Sequence, residues 1–292
     1  MDPDLETVIA RHTGRLHGGN AGRGAVDADR SLPRVTIVTP SFNQAPFIER
    51  TILSVLNQDW PDLEYIIIDG ASTDGTPDII RKYEKHLAYW VSEPDSGHAE
   101  AIAKGLRLST GKYVNWLCSD DILLPGSVER MVRALESRPD AGIVYGGVVF
   151  IDEDDRATKV LSFPDVSHRG FLYDRRTNIA QPSSLMRKAT LLEAGGVDIS
   201  LHYCIDYDIW IRLLKASTAV NLGDAVLSGY RLHTRSRTVG AYTNMALEKI
   251  KVNRRYTSDV LNKVIYAHYW YIVEDLFRRI KRALGISKHV KI

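Results

Sequence analysis

Val35-Thr36-Ile37-Val38-Thr39-Pro40-Ser41-Phe42-Asn43 is a β-branched run that stops abruptly in proline and polar residues. Val, Ile and Thr are stiff at χ1 and pack well on a pleated surface, so residues 35–39 read as a strand. The same event recurs three times downstream. Residues 63–68 run into Asp69-Gly70-Ala71-Ser72-Thr73-Asp74-Gly75-Thr76, and residues 87–91 into Ser92-Glu93-Pro94-Asp95-Ser96-Gly97-His98. Residues 113–117 run into Cys118-Ser119-Asp120-Asp121. Helical patterns fill the intervals. Pro46 stands in a first turn, followed by Ile48, Ile52, Val55 and Leu56 at helical spacing. Thr76-Pro77 opens a second helix carrying Ile79, Ile80 and Tyr83. Residues 99–108 and 125–136 supply two more. Strands alternating with helices imply an α/β fold, a mostly parallel central sheet with helices on both faces. The apolar runs fit strands buried on both sides.

Outward from this centre the signal weakens. Residues 1–33 hold five glycines, Gly14, Gly18, Gly19, Gly22 and Gly24, among few large apolar residues, and read as a disordered tail. Residues 142–151 suggest a further strand, and residues 179–186 another interrupted by Pro182. Residues 206–214 look helical, and residues 219–232 extended with a turn at Gly223-Asp224. The expected organisation is a tail over 1–33, a catalytic-type domain over 34–235 and a helical extension over 236–292. In that extension Ile265, Tyr269, Ile272, Leu276 and Ile280 form a stripe, and Arg278, Arg279, Lys281, Arg282, Lys288 and Lys291 make its end basic. Such a helix packs on the body, contacts an anionic membrane surface or makes a dimer contact.

The chain has 292 residues, 44% hydrophobic and 25% charged, with a net charge of +2. That is enough chain for a sizeable core without staples, and too little basic excess for a dedicated nucleic-acid binder. Two cysteines, Cys118 and Cys204, exclude a disulfide framework and a cysteine zinc cage. The acidic start and the absence of a long apolar run point to a cytoplasmic protein.

Ligands of open parallel sheets bind beyond the carboxyl ends of the strands. One polar strand end is usually a turn, but four on one rim indicate a polar pocket. Asp120 and Asp121 are adjacent carboxylates that repel each other; solvent, a basic partner or a divalent cation relieves this, and capping the next helix is the structural alternative. The chain lacks a Gly-x-Gly-x-x-Gly after its first strand and a Gly-Lys-Ser/Thr loop, which disfavours a nicotinamide dehydrogenase and a P-loop NTPase. A nucleotide held through a metal fits better. Phe42 could lie against a base, and Asp69 could accept a hydrogen bond from an imide.

These strand ends, in this order, resemble the family-two glycosyltransferases of the GT-A fold. Gln181-Pro182-Ser183-Ser184, Gly195-Gly196-Val197-Asp198 and Asp206-Tyr207-Asp208-Ile209-Trp210-Ile211-Arg212-Leu213 look like the acceptor-side half of that family. The resemblance covers residues 35–233. It implies a GT-A nucleotide-diphospho-sugar transferase fold and an inverting transfer from a nucleotide-diphosphate sugar, UDP-sugars first, to a hydroxyl of a glycan or lipid-linked acceptor. By that resemblance Thr39, Pro40, Phe42 and Asn43 line the nucleoside side and Asp69 reads the base. Asp95 and Gly97 border the donor pocket with Ser119. Asp120 binds Mg²⁺ or Mn²⁺, joined by His233 of Tyr230-Arg231-Leu232-His233. Asp206 is the general base. Three departures stand out: Cys118 replaces the first aspartate of the Asp-x-Asp motif, Ile205 replaces a carboxylate before the base, and Ile102-Ala103 replaces an Arg-Asn pair, leaving Lys104 as a weak phosphate contact. The competing readings are a sugar-nucleotide pyrophosphorylase, against which Pro-Ser-Phe-Asn replaces the expected glycine-rich loop, and a non-catalytic nucleotide-sugar binding module.

Overall fold

The computed structural model describes residues 3–16, 32–234, 236, 242–259 and 262–283. Four strands open the fold, β1 (Val35–Ser41), β2 (Leu63–Asp69), β3 (Tyr89–Ser92) and β4 (Tyr113–Trp116), and all of them pair in parallel in the order β3-β2-β1-β4. Between them run α2 (Ile48–Leu56), α3 (Thr76–Lys82) and α4 (His98–Leu108). Every residue of β1 and β4 is buried, as continuous apolar runs require. β3 departs from that expectation: it is the edge strand, and Tyr89 and Ser92 are exposed.

Beyond β4 the chain passes through β5 (Ile122–Leu123), α5 (Ser127–Ser137), β6 (Ala141–Ile151) and β7 (Ala157–Leu161). It continues as α6 (His168–Tyr173), β8 (Ser184–Arg187), α7 (Lys188–Glu193), α8 (Ile205–Ala216) and β9 (Thr218–Arg231). The sheet becomes mixed here. β8 lies antiparallel between β4 and β6, β9 runs parallel to β6, and β5 and β7 add antiparallel at the far side. Residues 219–232 therefore do not form a hairpin. All but Leu232 belong to one strand whose register slips against β6 between Tyr145 and Gly147, with Gly223 at φ +61°, so the expected turn is a bulge within it.

Alternate side chains along the central strands feed two cores, one on each face of the sheet. Val38, Ile66, Ile68, Val114 and Trp116 meet α4 and α8, while Val35, Ile37, Tyr65, Ile67 and Tyr113 meet α2 and α5. α4 lies so close to β1 that a Cβ on Gly105 would stand 2.2 Å from Cγ1 of Val38.

The N-terminal segment corrects one expectation. Part of the anticipated tail is helix α1 (Pro3–Gly14), docked on α2. Ile9 is fully buried, the Nε2 of His12 lies 3.0 Å from the Ser54 carbonyl, and Asn57 Nδ2 donates to the His12 carbonyl at 2.7 Å. The remainder of that stretch, 17–31, lies outside the described residues. At the other end, α9 (Tyr242–Tyr256) packs on α8 and is followed by α10 (Lys263–Ala283). Of the anticipated stripe on α10, Ile265 is buried but Tyr269 is exposed. Lys288 and Lys291 lie outside the described residues.

Candidate active site

The carboxyl ends of β1 and β2 stop level, with Ser41 opposite Asp69. The loops that follow are stitched together by polar side chains. Asn43 N–H donates to Ser72 Oγ at 2.7 Å, Thr73 N–H to Asn43 Oδ1 at 3.0 Å, and Gln44 N–H to Thr76 Oγ1 at 3.0 Å. Asn43 has φ +52°, a left-handed conformation that asparagine tolerates better than most residues. Thr76 does not cap α3; its hydroxyl donates to Asp74 instead. Phe42 is left projecting at 61% exposure, while Thr39 and Pro40 are buried in β1, Thr39 against the Tyr65 hydroxyl at 3.0 Å.

Asp69 is fully buried, and its carboxylate accepts from Ser72 N–H, the Ser72 hydroxyl and the Ser92 hydroxyl at 2.9, 2.6 and 2.6 Å. Three donors fill most of a carboxylate's lone pairs and leave room for about one more. The third rim lies alongside. Gly97 N–H donates to Asp95 Oδ1 at 2.9 Å, and a Cβ on Gly70 would lie 3.0 Å from the Asp95 carboxylate. Burial raises the Asp95 pKa, and the neighbouring charges of Glu100 and Asp69 push it the same way.

The fourth rim carries the densest chemistry. The Sγ of Cys118 and the carboxylates of Asp120 and Asp121 offer ligand atoms within 4.8 Å of one another. The adjacent carboxylates escape part of their repulsion by diverging. Asp121 turns inward, where it accepts the Arg231 N–H at 2.9 Å; burial first, and the Asp120 charge second, hold its pKa well above the ordinary carboxylate range. Asp120 turns to His233, whose Nε2 lies 3.0 Å from Oδ2. His233 is buried and sits 4.5 Å, centroid to centroid, from the Phe47 ring. Arg231 closes the base of the group. Its Nε donates to the Asp120 carbonyl at 2.8 Å, its Nη1 to the Asp152 carbonyl at 2.8 Å, and it pairs with Asp155 at 2.5 Å. A divalent cation fits this donor set, because it would offset the repulsion between two adjacent carboxylates. Ser119 is buried between these groups. His98 Nε2 stands 3.8 Å from the Cys118 sulfur. Lys104 pairs with Glu93.

Asp206 occupies the first turn of α8, half-buried, its Oδ1 accepting the Tyr207 N–H at 2.7 Å. Burial raises its pKa against the pull of Lys249. One turn on, Trp210 stacks on Trp116 with ring centroids 6.2 Å apart, which anchors α8 to the strand that leads into Cys118–Asp121. Cys118 and Cys204 contribute to the same hydrophobic core.

The structure thus joins Asp69 with Asp95 and Asp120 with His233, and ties Asp206 to the β4 end through α8. Sequence reasoning did not single out Ser92, Arg231 and Lys249, nor Glu248, whose carboxylate accepts the Cys204 N–H at 2.7 Å two residues before Asp206. Arg231 stands inside a motif already singled out, two residues before His233. Glu248 and Lys249 lie on α9, where no local pattern marks them.

Residues 36–194, more than half of the chain, match the family described as Glycosyl transferase family 2. TuaG of Bacillus subtilis, assigned as a glycosyltransferase to teichuronic acid biosynthesis, is 31% identical over 207 residues, 68% of this chain and 79% of that protein. An uncharacterized glycosyltransferase of Rickettsia typhi is 29% identical over 239 residues, 80% of this chain and 73% of its own. Among solved structures, S. aureus TarS in complex with UDP-GlcNAc superposes with a TM-score of 0.61 at 17% identity, over 89% of this chain and 76% of that one. The mannosyltransferase PcManGT from Pyrobaculum calidifontis, in complex with GDP-Man and Mn²⁺, gives 0.61 at 19% identity over 97% and 88%. Both confirm the GT-A architecture of the sheet.

Proposed function

This chain belongs to glycosyl transferase family 2 and is a glycosyltransferase, and on that premise we propose an inverting transfer from a nucleotide-diphosphate sugar to a hydroxyl of a glycan or lipid-linked acceptor. The observation that carries the reading is the Cys118–Asp120–Asp121 group at the end of β4, which shares the carboxyl edge of the parallel strands with Asp69 and Asp95. UDP-sugars are the first donors to test and dTDP-sugars the second; GDP-mannose joins them because PcManGT binds it.

Phe42 offers an exposed aromatic face to the base, and Asp69 has one acceptor position left for it. Thr39, Pro40 and Asn43 shape that wall, and Asp95 and Gly97 border the sugar-diphosphate side with Ser119. Asp120, with His233 beside it, would hold Mg²⁺ or Mn²⁺, which when bound supplies positive charge against a leaving diphosphate. Asp206 takes the acceptor proton as the acceptor oxygen attacks the anomeric carbon. Its burial suits this work, since a carboxylate with a raised pKa is the stronger base. The substrate passes through an oxocarbenium-like transition state. Asp206→Asn is expected to lower turnover by about 10²–10⁴-fold while donor affinity holds. Turnover close to the parent's would remove Asp206 from the role.

We also propose that α10 touches an anionic membrane surface. Tyr266, Tyr269, Trp270, Val273 and Phe277 are exposed at helical spacing on it, and the sequence beyond them is basic without an acidic residue. Aromatic rings at headgroup depth beside Lys and Arg are what anionic lipid selects. No helix among the described residues is long and apolar enough to cross a membrane. Sedimentation with vesicles containing phosphatidylglycerol should carry the protein down, and Trp270→Glu with Phe277→Glu should leave it in solution. Equal partition onto neutral and anionic vesicles, or a dimer broken by the same pair of changes, would contradict the proposal.

A further inference from the structure

The N-cap position of α8 supplies no side-chain acceptor. Its N-cap residue is Cys204, whose side chain makes no capping hydrogen bond. The segment that leads into that turn is held instead from another helix, 44 residues away in sequence. Glu248 on α9 accepts the N–H groups of His202, Tyr203 and Cys204 at 2.9, 2.6 and 2.7 Å. A carboxylate that gathers three successive backbone N–H groups, the last of them at the N-cap, fixes the segment leading into α8 in place. The next residue of α9, Lys249, is half-buried with its Nζ 4.5 Å from the centre of the Tyr207 ring, and its charge acts on Asp206. Below it, Asn253 donates to the Tyr207 hydroxyl at 2.9 Å, and Tyr256 donates to Asp208 at 2.6 Å. One face of α9 therefore holds residues 202–204, 207 and 208.

We propose that Glu248 and Lys249 are positioning residues for Asp206, Glu248 fixing the turn that carries it and Lys249 balancing the charge of its carboxylate. This rests on Asp206 being the general base. The two residues act with opposite signs. Lys249 favours the ionised carboxylate of Asp206, and Glu248 opposes it. Cys204 is a further titratable group with which Asp206 interacts. Asp206 on α8 and its supports on α9 both lie beyond residues 36–194, the part that matches the family.

The test measures release of nucleoside diphosphate from UDP-glucose, UDP-GlcNAc and GDP-mannose across pH, with water as acceptor, in the full chain. Lys249→Met should lower turnover about 10–100-fold and move the acid limb of the pH–rate profile to higher pH, with Lys249→Arg restoring the limb. Glu248→Gln should lower turnover by a similar factor and move the limb to lower pH. Donor affinity should stay unchanged in both. Limbs that stay in place, below the melting temperature of each variant, would make both residues merely structural and overturn the inference. Asp206→Asn in the same assay separates the two readings: full activity in that variant overturns the base and its positioning together, whereas an inactive Asp206→Asn beside unmoved limbs overturns only the positioning.

Discussion

At the scale of single residues, the site is a set of carboxylates held in different environments. Asp206 is buried enough for its pKa to be raised, so ionising it costs the folded state free energy that the unfolded chain does not lose. The sign follows directly. Its stabilising contribution is complete below the unfolded pKa and disappears as pH rises through the higher folded value. Asp206→Asn should therefore melt at a higher temperature than the parent at pH 7 while turnover collapses; a lower melting temperature would show that the carboxylate is better stabilised than its burial implies. Activity should fall with acid from a pH above the ordinary carboxylate range. Cys118 is the other informative residue. A thiol in the metal group favours softer ions, so Mn²⁺ should bind more tightly than Mg²⁺. Cys118→Asp should narrow that gap in calorimetric titrations with each ion; an unchanged ratio would show that Cys118 is not a ligand.

At the scale of elements, what the sequence disclosed follows from how local each signal is. The strand ends were readable because β-branched runs and the polar residues after them are contiguous, and the parallel order then puts four of them on one rim. The second half resisted because β8 and β9 are placed by partners far along the chain, and the β9 bulge imitates a turn. α1 was hidden for a different reason. It docks through Ile9 and through polar contacts of His12, which hydrophobic periodicity does not register. Ile9→Ala should cost about 2–4 kcal/mol, read from the denaturant midpoint, if α1 belongs to the folded unit. A cost near zero would make α1 a loosely held appendage. Glu248 and Lys249 were illegible for the same reason as β8, because they act on a turn more than forty residues away.

On the scale of the whole molecule, a parallel β3-β2-β1-β4 half carries the Phe42, Asp69, Asp95 and Asp120 rims, and the mixed half supplies the supports. β9 delivers Arg231 and leads to His233 against the Asp121 and Asp120 carboxylates, while α8, held by α9, carries Asp206. The family match and the GT-A architecture agree with this division. The central claim is that the rim binds a nucleotide sugar through a cation at Asp120. Thermal melting with UDP-, dTDP- and GDP-sugars, each with Mn²⁺, tests it most directly. A donor present at 100 times its Kd adds about 2.7 kcal/mol to the folded state, or roughly 5–10 °C in Tm for a chain near this size. The account predicts such a rise for at least one donor, dependent on Mn²⁺ and lost in Asp120→Asn; no rise with any donor, or an equal rise in Asp120→Asn, would contradict it.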